Sequence, residues 1–115
     1  MSDRPLQEPS FLILAALAAG PQHGYAILAE VARISDGQVK LLTGTLYAAL
    51  DRLEGAELID TDREEIVDGR ARRYYRLTGA GAQRLATETA RLRRHADAAA
   101  TRLAGFKTRF AGGQA

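Results

Sequence analysis

Residues 58–78 of the chain read LIDTDREEIVDGRARRYYRLT, in which two strand-like runs are separated by the dipeptide Asp68-Gly69. An Asp-Gly pair between such runs is typical of a two-residue type I′ turn, because both residues accept positive φ angles. We therefore predict a β-hairpin at this point of the chain. Its first strand runs from Leu58 or Ile59 to Ile66 or Val67, and its second strand runs from Arg72 to Leu77.

This turn sets the pairing of the two strands. Two acid–base pairs arise in the resulting register, and oppositely charged pairs stabilise an antiparallel ladder. In the second strand Tyr75 has the same parity as Leu77, so we assign Tyr75 to the core and Tyr74 to the opposite face. The opposed residues are then Val67 and Arg70, Glu65 and Arg72, Glu64 and Arg73, and Asp62 and Tyr75.

Helical patterns precede the hairpin. The first begins at Pro9 or Ser10 and is stopped by Gly20-Pro21, because glycine favours helix C-termini and proline cannot continue a helix. The second runs from about Gly24 to Ile34. The apolar residues of both recur at helical spacing. They are Phe11, Leu12, Leu14, Ala15 and Leu17 in the first helix, and Ile27, Leu28, Val31 and Ile34 in the second.

A third helical pattern begins near Thr43, whose hydroxyl we expect to cap the helix. Leu46, Leu50 and Leu53 recur at i, i+4 and i+7 and form its core stripe. The opposite face of its first half is small and uncharged, which suits a helix that enters a groove of DNA. This face carries Gly44, Thr45 and Ala48, with Tyr47 on its flank.

A last helix is capped by Thr78 and extends to about Ala111. At ~1.5 Å per residue its length is roughly 50 Å, whereas a compact body formed by the preceding residues has a diameter of about 30 Å. Its apolar residues form a narrow seam with a period of 3.5, which a second helix must cover, and the simplest supplier is another copy of the chain. The seam consists of Leu85, Leu92, Ala96, Ala99, Leu103, Phe106 and Phe110.

Composition narrows the class of protein. The chain has 115 residues, of which 46% are apolar and 26% charged, which is ordinary for one folded domain. It has no cysteine, and its two histidines, His23 and His95, lie far apart in sequence, so we expect neither a metal site nor another cofactor. No nucleophile–base pair or phosphate-binding glycine loop is visible, so we expect no enzyme.

Charge and hydropathy narrow the class of protein further. The longest apolar run, Phe11 to Ala19, has nine residues, fewer than the roughly 20 that span a membrane. No positive cluster precedes this run, as a secretory signal requires, so we expect a cytoplasmic protein without a membrane partner. The net charge is +2, yet residues 83–115 carry a net +5 and residues 1–82 a net −3. The positive charge is therefore concentrated in the last helix.

Three helices, a two-stranded hairpin and a long helix follow one another in the order of a winged helix-turn-helix. The predicted fold is therefore mainly α with a small β-hairpin. We divide it into a winged helix-turn-helix DNA-binding domain over residues 1–78 and a C-terminal dimerisation helix over residues 79–115. In this fold the third helix enters the major groove, and the hairpin, called the wing, contacts the DNA backbone or the minor groove.

Three stretches carry a more specific resemblance: GPQHGY at 20–25, GTLYAALDRLE at 44–54 and GRARRYYRLTGAG at 69–81. In their order and spacing they resemble the PadR family of bacterial transcriptional regulators, and the resemblance covers about residues 10–82. It implies a homodimeric DNA-binding regulator, usually a repressor, whose C-terminal helix pairs with the partner subunit. It also implies that a small ligand can release the DNA, and an aromatic or lipophilic effector is compatible with the family.

Nine residues are candidates for contact with DNA. Thr45 and Tyr47 can offer their hydroxyl groups, and Thr45 its methyl group, to base edges. The start of the third helix at Thr43 suits a phosphate because its free N–H groups favour anions. Arginines beside the wing turn suit phosphates or a narrow minor groove. The nine candidates are Lys40, Thr43, Thr45, Tyr47, Arg70, Arg72, Arg73, His23 and Tyr25.

Several of these candidates also have a purely structural interpretation. Thr43 can serve only as a cap, Tyr47 can pack on the second helix, and a histidine such as His23 at a helix start is often structural.

The wing arginines have an electrostatic alternative. Glu65 can neutralise Arg72 across the hairpin, and Glu64 can do the same for Arg73. Arg70 has no acid opposite it in the predicted register, so it is the strongest candidate of the three.

We thus predict a homodimeric regulator that binds a near-palindromic operator in double-stranded DNA, with its two recognition helices about 34 Å apart. The alternative is a protein-interaction module that retains the winged-helix fold without binding DNA. It is favoured by the net −3 of residues 1–82 and by the acidic Asp51 in the third helix. A steep salt dependence of DNA binding distinguishes the two, because neutralised phosphates release counterions.

Overall fold

Three helices, a β-hairpin and a long last helix follow one another in the predicted order, with one additional short strand between the first two helices. The computed structural model describes residues 4–111; residues 1–3 and 112–115, at the outer ends of the two predicted domains, lie outside the described residues. The elements are α1 (Glu8–Leu17), β1 (Gln22–His23), α2 (Gly24–Ile34), α3 (Thr43–Gly55), β2 (Ile59–Val67), β3 (Arg70–Leu77) and α4 (Gly79–Ala111). The architecture confirms a mainly α winged helix-turn-helix with a long C-terminal helix.

The first two helices begin and end close to their predicted limits. Glu8 and Pro9 open α1, where a negative charge favours the helix dipole and the missing proline N–H needs no partner. Soon after α1 the chain reaches Gly20, whose φ of 142° is a conformation that glycine adopts freely. α2 runs over the predicted residues, from Gly24 to Ile34.

The start of α3 corrects the prediction for Thr43. Thr43 is the first helical residue, and Leu42 occupies the N-cap position in an extended conformation with no side-chain hydrogen bond to the helix. A capping residue lies outside the helical conformation, so Thr43 does not fill that role. Thr78 does cap α4 as predicted, because the N–H of Gly81 donates to its Oγ1 at 2.9 Å.

The hairpin turn has the predicted geometry. Asp68 and Gly69 both have positive φ angles, 52° and 77°, as a type I′ turn requires. The second strand begins directly after the turn at Arg70, two residues earlier than predicted. The register beside the turn is also confirmed: the opposed pairs are Val67 and Arg70, Glu65 and Arg72, and Glu64 and Arg73.

Farther from the turn the predicted register is wrong. A β-bulge between Thr61 and Arg63 inserts one residue, so Tyr75 faces Thr61 rather than Asp62. The sheet also has a third strand, because β1 pairs with β3 and the strand order is β1-β3-β2. A strand of two residues has no alternating pattern to detect in the sequence, and its existence depends on a distant partner.

The core forms where α1, α2 and α3 pack together and against the sheet. Ile13, Ile27, Leu46 and Leu50 are fully buried within it. Each such side chain contributes ~1.5–3 kcal/mol of transfer free energy. Tyr75 is also buried, which confirms its assignment to the core. This packing fixes the orientation of α3 and leaves its opposite face exposed.

The contacts of the chain fall into two compact units, one that ends at Leu85 and one that begins at Ala86. The second unit is the continuation of α4, and from Leu92 to Phe110 every side chain of this helix is exposed. Within residues 4–111, no helix combines the length and apolar character needed to cross a bilayer.

Candidate nucleic-acid interface

The first two turns of α3 present an exposed face without charge. Leu46, Ala49 and Leu50 are buried and attach the helix to the core. Lys40, in the connection that leads into α3, is exposed as well. The exposed residues at the start of α3 are Thr43, Gly44, Thr45, Tyr47 and Ala48.

A cleft of about 470 Å³ lies between the start of α2, the flank of α3 and the hairpin. Its size falls in the range of clefts that bind ligands, a few hundred Å³. Residues that are far apart in sequence meet here, while Lys40, Thr43 and Thr45 are not part of the lining. Six of the nine candidate residues line the cleft: His23, Tyr25, Tyr47, Arg70, Arg72 and Arg73.

Tyr47 packs against the start of α2, as its structural interpretation predicts. Its hydroxyl lies so close to Gly24 that a Cβ atom there would collide with it, and the Cβ would stand only 2.9 Å from Cζ. Glycine at position 24 therefore allows the ring to lie over the helix start. The side chain still exposes 41% of its surface, so its hydroxyl end remains open to the cleft.

His23 has a structural role at the floor of the cleft. It is the N-cap of α2, where the N–H of Ala26 donates to its Nδ1 at 3.4 Å. Its ring meets Tyr74 edge-on, with ring centroids 5.3 Å apart. Burial lowers the pKa of His23, the positive charge of Arg72 lowers it further, and Glu65 partly opposes this effect. The neutral form, which can accept the capping hydrogen bond, is therefore favoured.

The three wing arginines differ in their partners. Arg73 Nε donates to Glu64 Oε2 at 3.2 Å, and this hydrogen bond raises the pKa of Arg73. Glu65 and Arg72 stand opposite each other in the ladder but do not form the expected ion pair, because Glu65 forms one with an arginine of its own strand. Among residues 4–111, neither Arg70 nor Arg72 forms an ion pair, although the charge of Arg72 adds to the lowering of the pKa of Glu65 that the hydrogen bond from Arg63 mainly causes. These two guanidinium groups therefore keep their charge available to an anion in the cleft.

The arginine that binds Glu65 is Arg63, which the sequence did not single out. Its Nε donates to Glu65 Oε2 at 3.0 Å and its Nη1 to Asp62 Oδ2 at 2.8 Å. Its guanidinium carbon lies 3.9 Å from the centroid of the Tyr74 ring, a cation–π contact. Arg63 stands opposite Tyr74 in the register that the turn at Asp68-Gly69 sets, so that register was the signal that could have found it.

Two exposed apolar residues near the candidate interface were also not singled out. Leu42, the N-cap of α3, exposes 77% of its surface, and Ile66, near the wing turn, exposes 73%. The one signal that could have found Leu42 is the helix boundary, since a start one residue earlier than predicted places Leu42 rather than Thr43 at the N-cap.

The predicted seam of α4 is largely open. Leu92, Leu103, Phe106 and Phe110 expose between 40% and 56% of their surfaces, and the rings of the two phenylalanines lie 4.6 Å apart. Leu85 differs, because it packs against the core of the first unit. Ala96 and Ala99 are exposed on the same helix.

Three packed helices, a small sheet and an exposed third helix beside a β-hairpin define the winged helix-turn-helix class of protein. The model of the PadR-like family of transcriptional regulators matches residues 13–87, and the chain belongs to this family. This membership confirms the expected resemblance and the expected class, a transcriptional regulator rather than an enzyme.

Individual relatives agree with this assignment. The chain is 41% identical over 69 residues to the transcriptional regulator Rv3488 of Mycobacterium tuberculosis, a match that covers 60% of this chain and 61% of the relative. The chain spans less than two thirds of the length of the curated relatives that it matches.

Solved structures share the fold. A PadR family transcription regulator from Clostridium difficile R20291 superposes with a TM-score of 0.71 at 28% identity, covering 84% of this chain and 99% of that one. The PadR of Bacillus subtilis, solved in complex with operator DNA, has a TM-score of 0.63 at 23% identity, covering 70% of this chain and 47% of that one. The latter similarity is one of fold alone.

Proposed function

We propose that this chain is a sequence-specific DNA-binding repressor that acts as a homodimer in the cytoplasm. The observation that carries the proposal is the cleft, which Arg70 and Arg72 line together with Tyr47 on the flank of α3, and in which neither arginine forms an ion pair with the described part of the chain. Unneutralised arginines suit phosphate, and small uncharged residues suit base edges. The Bacillus subtilis relative binds operator DNA with the same fold, which supports the transfer of that activity.

Each element has a defined role in this proposal. The first turn of α3, with Thr43 and Thr45, enters the major groove, while Lys40 and the start of α2 with Tyr25 and His23 follow the phosphate backbone. The wing arginines contact the backbone or the minor groove. Tyr47 lies between α3 and the wing, because its ring packs against Gly24 of α2 and its side chain lines the cleft.

The homodimer rests on α4, with residues 79–115 as the dimerisation helix and residues 1–78 as the DNA-binding domain. An exposed row of apolar side chains on a soluble helix is stabilised by a partner helix. A two-fold dimer would present two copies of α3 about 34 Å apart, one turn of DNA, to a near-palindromic operator. Release of the DNA by a small aromatic or lipophilic effector is part of the same proposal.

The experiment is footprinting of the DNA upstream of the chain's own gene with the purified protein. We expect protection of an inverted repeat whose half-sites are centred about 10 base pairs apart or a multiple of this. Affinity for that fragment, measured by fluorescence anisotropy, should fall steeply as salt rises. Absence of protection, together with an affinity independent of salt, would contradict the proposal.

The alternative function, a protein-interaction module, has one observation in its favour. Asp51 is exposed on α3, where a carboxylate repels phosphate. Failure to retain any upstream DNA, combined with capture of a protein partner that an acidic-face variant such as Asp51→Lys no longer binds, would favour this alternative.

A further inference from the structure

Leu42 is unusual in two respects, because its side chain cannot cap α3 and because it is a large apolar residue exposed to solvent. It is the N-cap of α3, yet its side chain makes no hydrogen bond to the helix. Asparagine, aspartate, serine and threonine are strongly preferred there, and leucine is among the poorest choices. It also exposes 77% of its surface, the largest exposed fraction among the large apolar residues of the described chain. Residues that violate local preferences without a structural gain tend to mark functional sites.

The surroundings of Leu42 restrict what it could contact. Its neighbours Val39 and Leu41 are partly buried against the core, so among these three apolar residues Leu42 is the one that faces solvent. The residues that follow it, Thr43 to Thr45, are exposed and uncharged, and a Cβ at Gly44 would meet nothing within 4 Å. A single apolar side chain therefore stands at the tip of the helix with open space beside it.

A base edge offers an apolar group of matching size. In the major groove thymine presents a methyl group at C5, whereas the other bases present only hydrogen-bonding groups at their edges. Residues at the start of a recognition helix are those that reach base edges. Resting on the proposed function, we propose that Leu42 determines specificity by packing on the C5 methyl group of one thymine in each operator half-site.

The test replaces thymine by deoxyuridine, one position at a time, in the footprinted operator. This change removes the methyl group and keeps the base pairing. We expect one position per half-site at which affinity falls about four-fold, the factor for burial of one methyl group. Replacing both symmetric positions should lower affinity about sixteen-fold, since distant sites add in free energy.

The variant Leu42→Asn separates this role from a structural one. Asparagine restores a good N-cap, so the melting temperature should rise, while affinity for the unmodified operator should fall. In this variant the deoxyuridine operator should bind as well as the unmodified one. The matched control is Ile34→Asn, a change at an exposed apolar residue of α2, which should retain the four-fold methyl preference.

The outcomes distinguish the two proposals. If the wild-type protein binds the operator and no deoxyuridine position alters its affinity, the role of Leu42 is wrong and the proposed function stands. If Leu42→Asn retains the methyl preference, another residue reads the thymine and the inference is equally wrong. If the wild-type protein protects no operator at all, both proposals fail together.

Discussion

At the scale of single residues, other parts of the chain approach two glycines closely, and only one of these approaches is rigid. At Gly24 the obstacle is the end of the Tyr47 side chain, which can move. At Gly81 it is backbone: a Cβ would collide with the carbonyl oxygen of Leu58 and stand 2.8 Å from Leu77 Cδ1. The same Leu58 carbonyl accepts the N–H of Thr78 at 3.1 Å, so it cannot move aside without loss of that bond.

We therefore expect Gly81→Ala to destabilise the protein by about 1–3 kcal/mol, the usual cost of an overpacked site. The control is Gly55→Ala in α3, where a Cβ would meet nothing within 4 Å. That change should be neutral or stabilising by up to about 1 kcal/mol, because alanine favours helix. Urea unfolding of both variants measures the difference, and equal midpoints would contradict it.

His23 couples stability to pH. The unfolded chain protonates His23 near its ordinary pKa of 6.5, whereas the pKa is lowered in the folded protein by burial and then by Arg72. The unfolded state thus binds more protons in this range, so His23 destabilises the fold as pH drops below about 6.5 and has no such effect above it. Protonation of Nδ1 also abolishes the cap of α2.

The variant His23→Asn keeps a capping acceptor and cannot titrate. We expect the melting temperature of the wild-type protein to fall more between about pH 7.5 and pH 5.5 than that of the variant, as linkage requires. If the melting temperatures of the two proteins fall by the same amount over this pH range, the pKa of His23 is the same in the folded and unfolded states and the prediction is wrong.

At the scale of elements, the hairpin owes its electrostatic character to its register. Beside the turn, Glu64 stands opposite Arg73 and neutralises it. On the turn side of the bulge, Arg63 forms an ion pair with Glu65, and Arg72 forms none with any residue from 4 to 111. The bulge lies farther from the turn and leaves these pairs unchanged. The register set by Asp68-Gly69, together with the ion pair between Arg63 and Glu65 within β2, therefore decides which wing arginines can bind phosphate.

The salt dependence of DNA binding should reveal this difference. The double variant Arg70→Ala, Arg72→Ala should reduce the slope of log K against log salt by about 2, since each lost phosphate contact contributes about 1. Arg73→Ala, in the same hairpin, should change the slope far less because Glu64 already neutralises that side chain. Equal effects of the two changes on the slope would overturn the assignment of the wing charges.

At the scale of the whole molecule, the second unit consists of a helix that exposes its apolar residues. Leu103, Phe106 and Phe110 lie along one side of α4, spaced by three and four residues. The α4 side chains between Leu92 and Phe110 are exposed, so the chain alone leaves this seam in contact with water. The proposed homodimer would bury these side chains, so a substitution in the seam should change the oligomeric state.

A charge on the seam should dissociate the dimer. We expect wild-type protein to sediment as a dimer at micromolar concentration and Leu103→Asp to sediment as a monomer, because a buried unpaired carboxylate is strongly unfavourable. Thr101→Asp places the same charge on the opposite side of α4 and should leave the dimer intact. Wild-type protein that is monomeric at this concentration would overturn the homodimer, whatever the variants do.

Much of the fold was predictable because its signals are local. The turn at Asp68-Gly69, the bounds of α2, the stripe from Leu46 to Leu53 and the cap by Thr78 each depend on residues within a few positions of one another. The class of regulator followed from three short stretches in a fixed order. For the same reason the candidate residues were found singly, each with a structural alternative that the sequence left open.

The sequence alone determined the order of helices and strands, the turn and its nearest pairs, because turn geometry and helical periodicity are properties of neighbouring residues. Tertiary structure decided the rest: the strand at Gln22–His23, the bulge, the packing of Tyr47 over Gly24 and the cleft that unites six candidates. These features arise when segments distant in sequence pack or pair, and no local pattern records which partner a segment will meet.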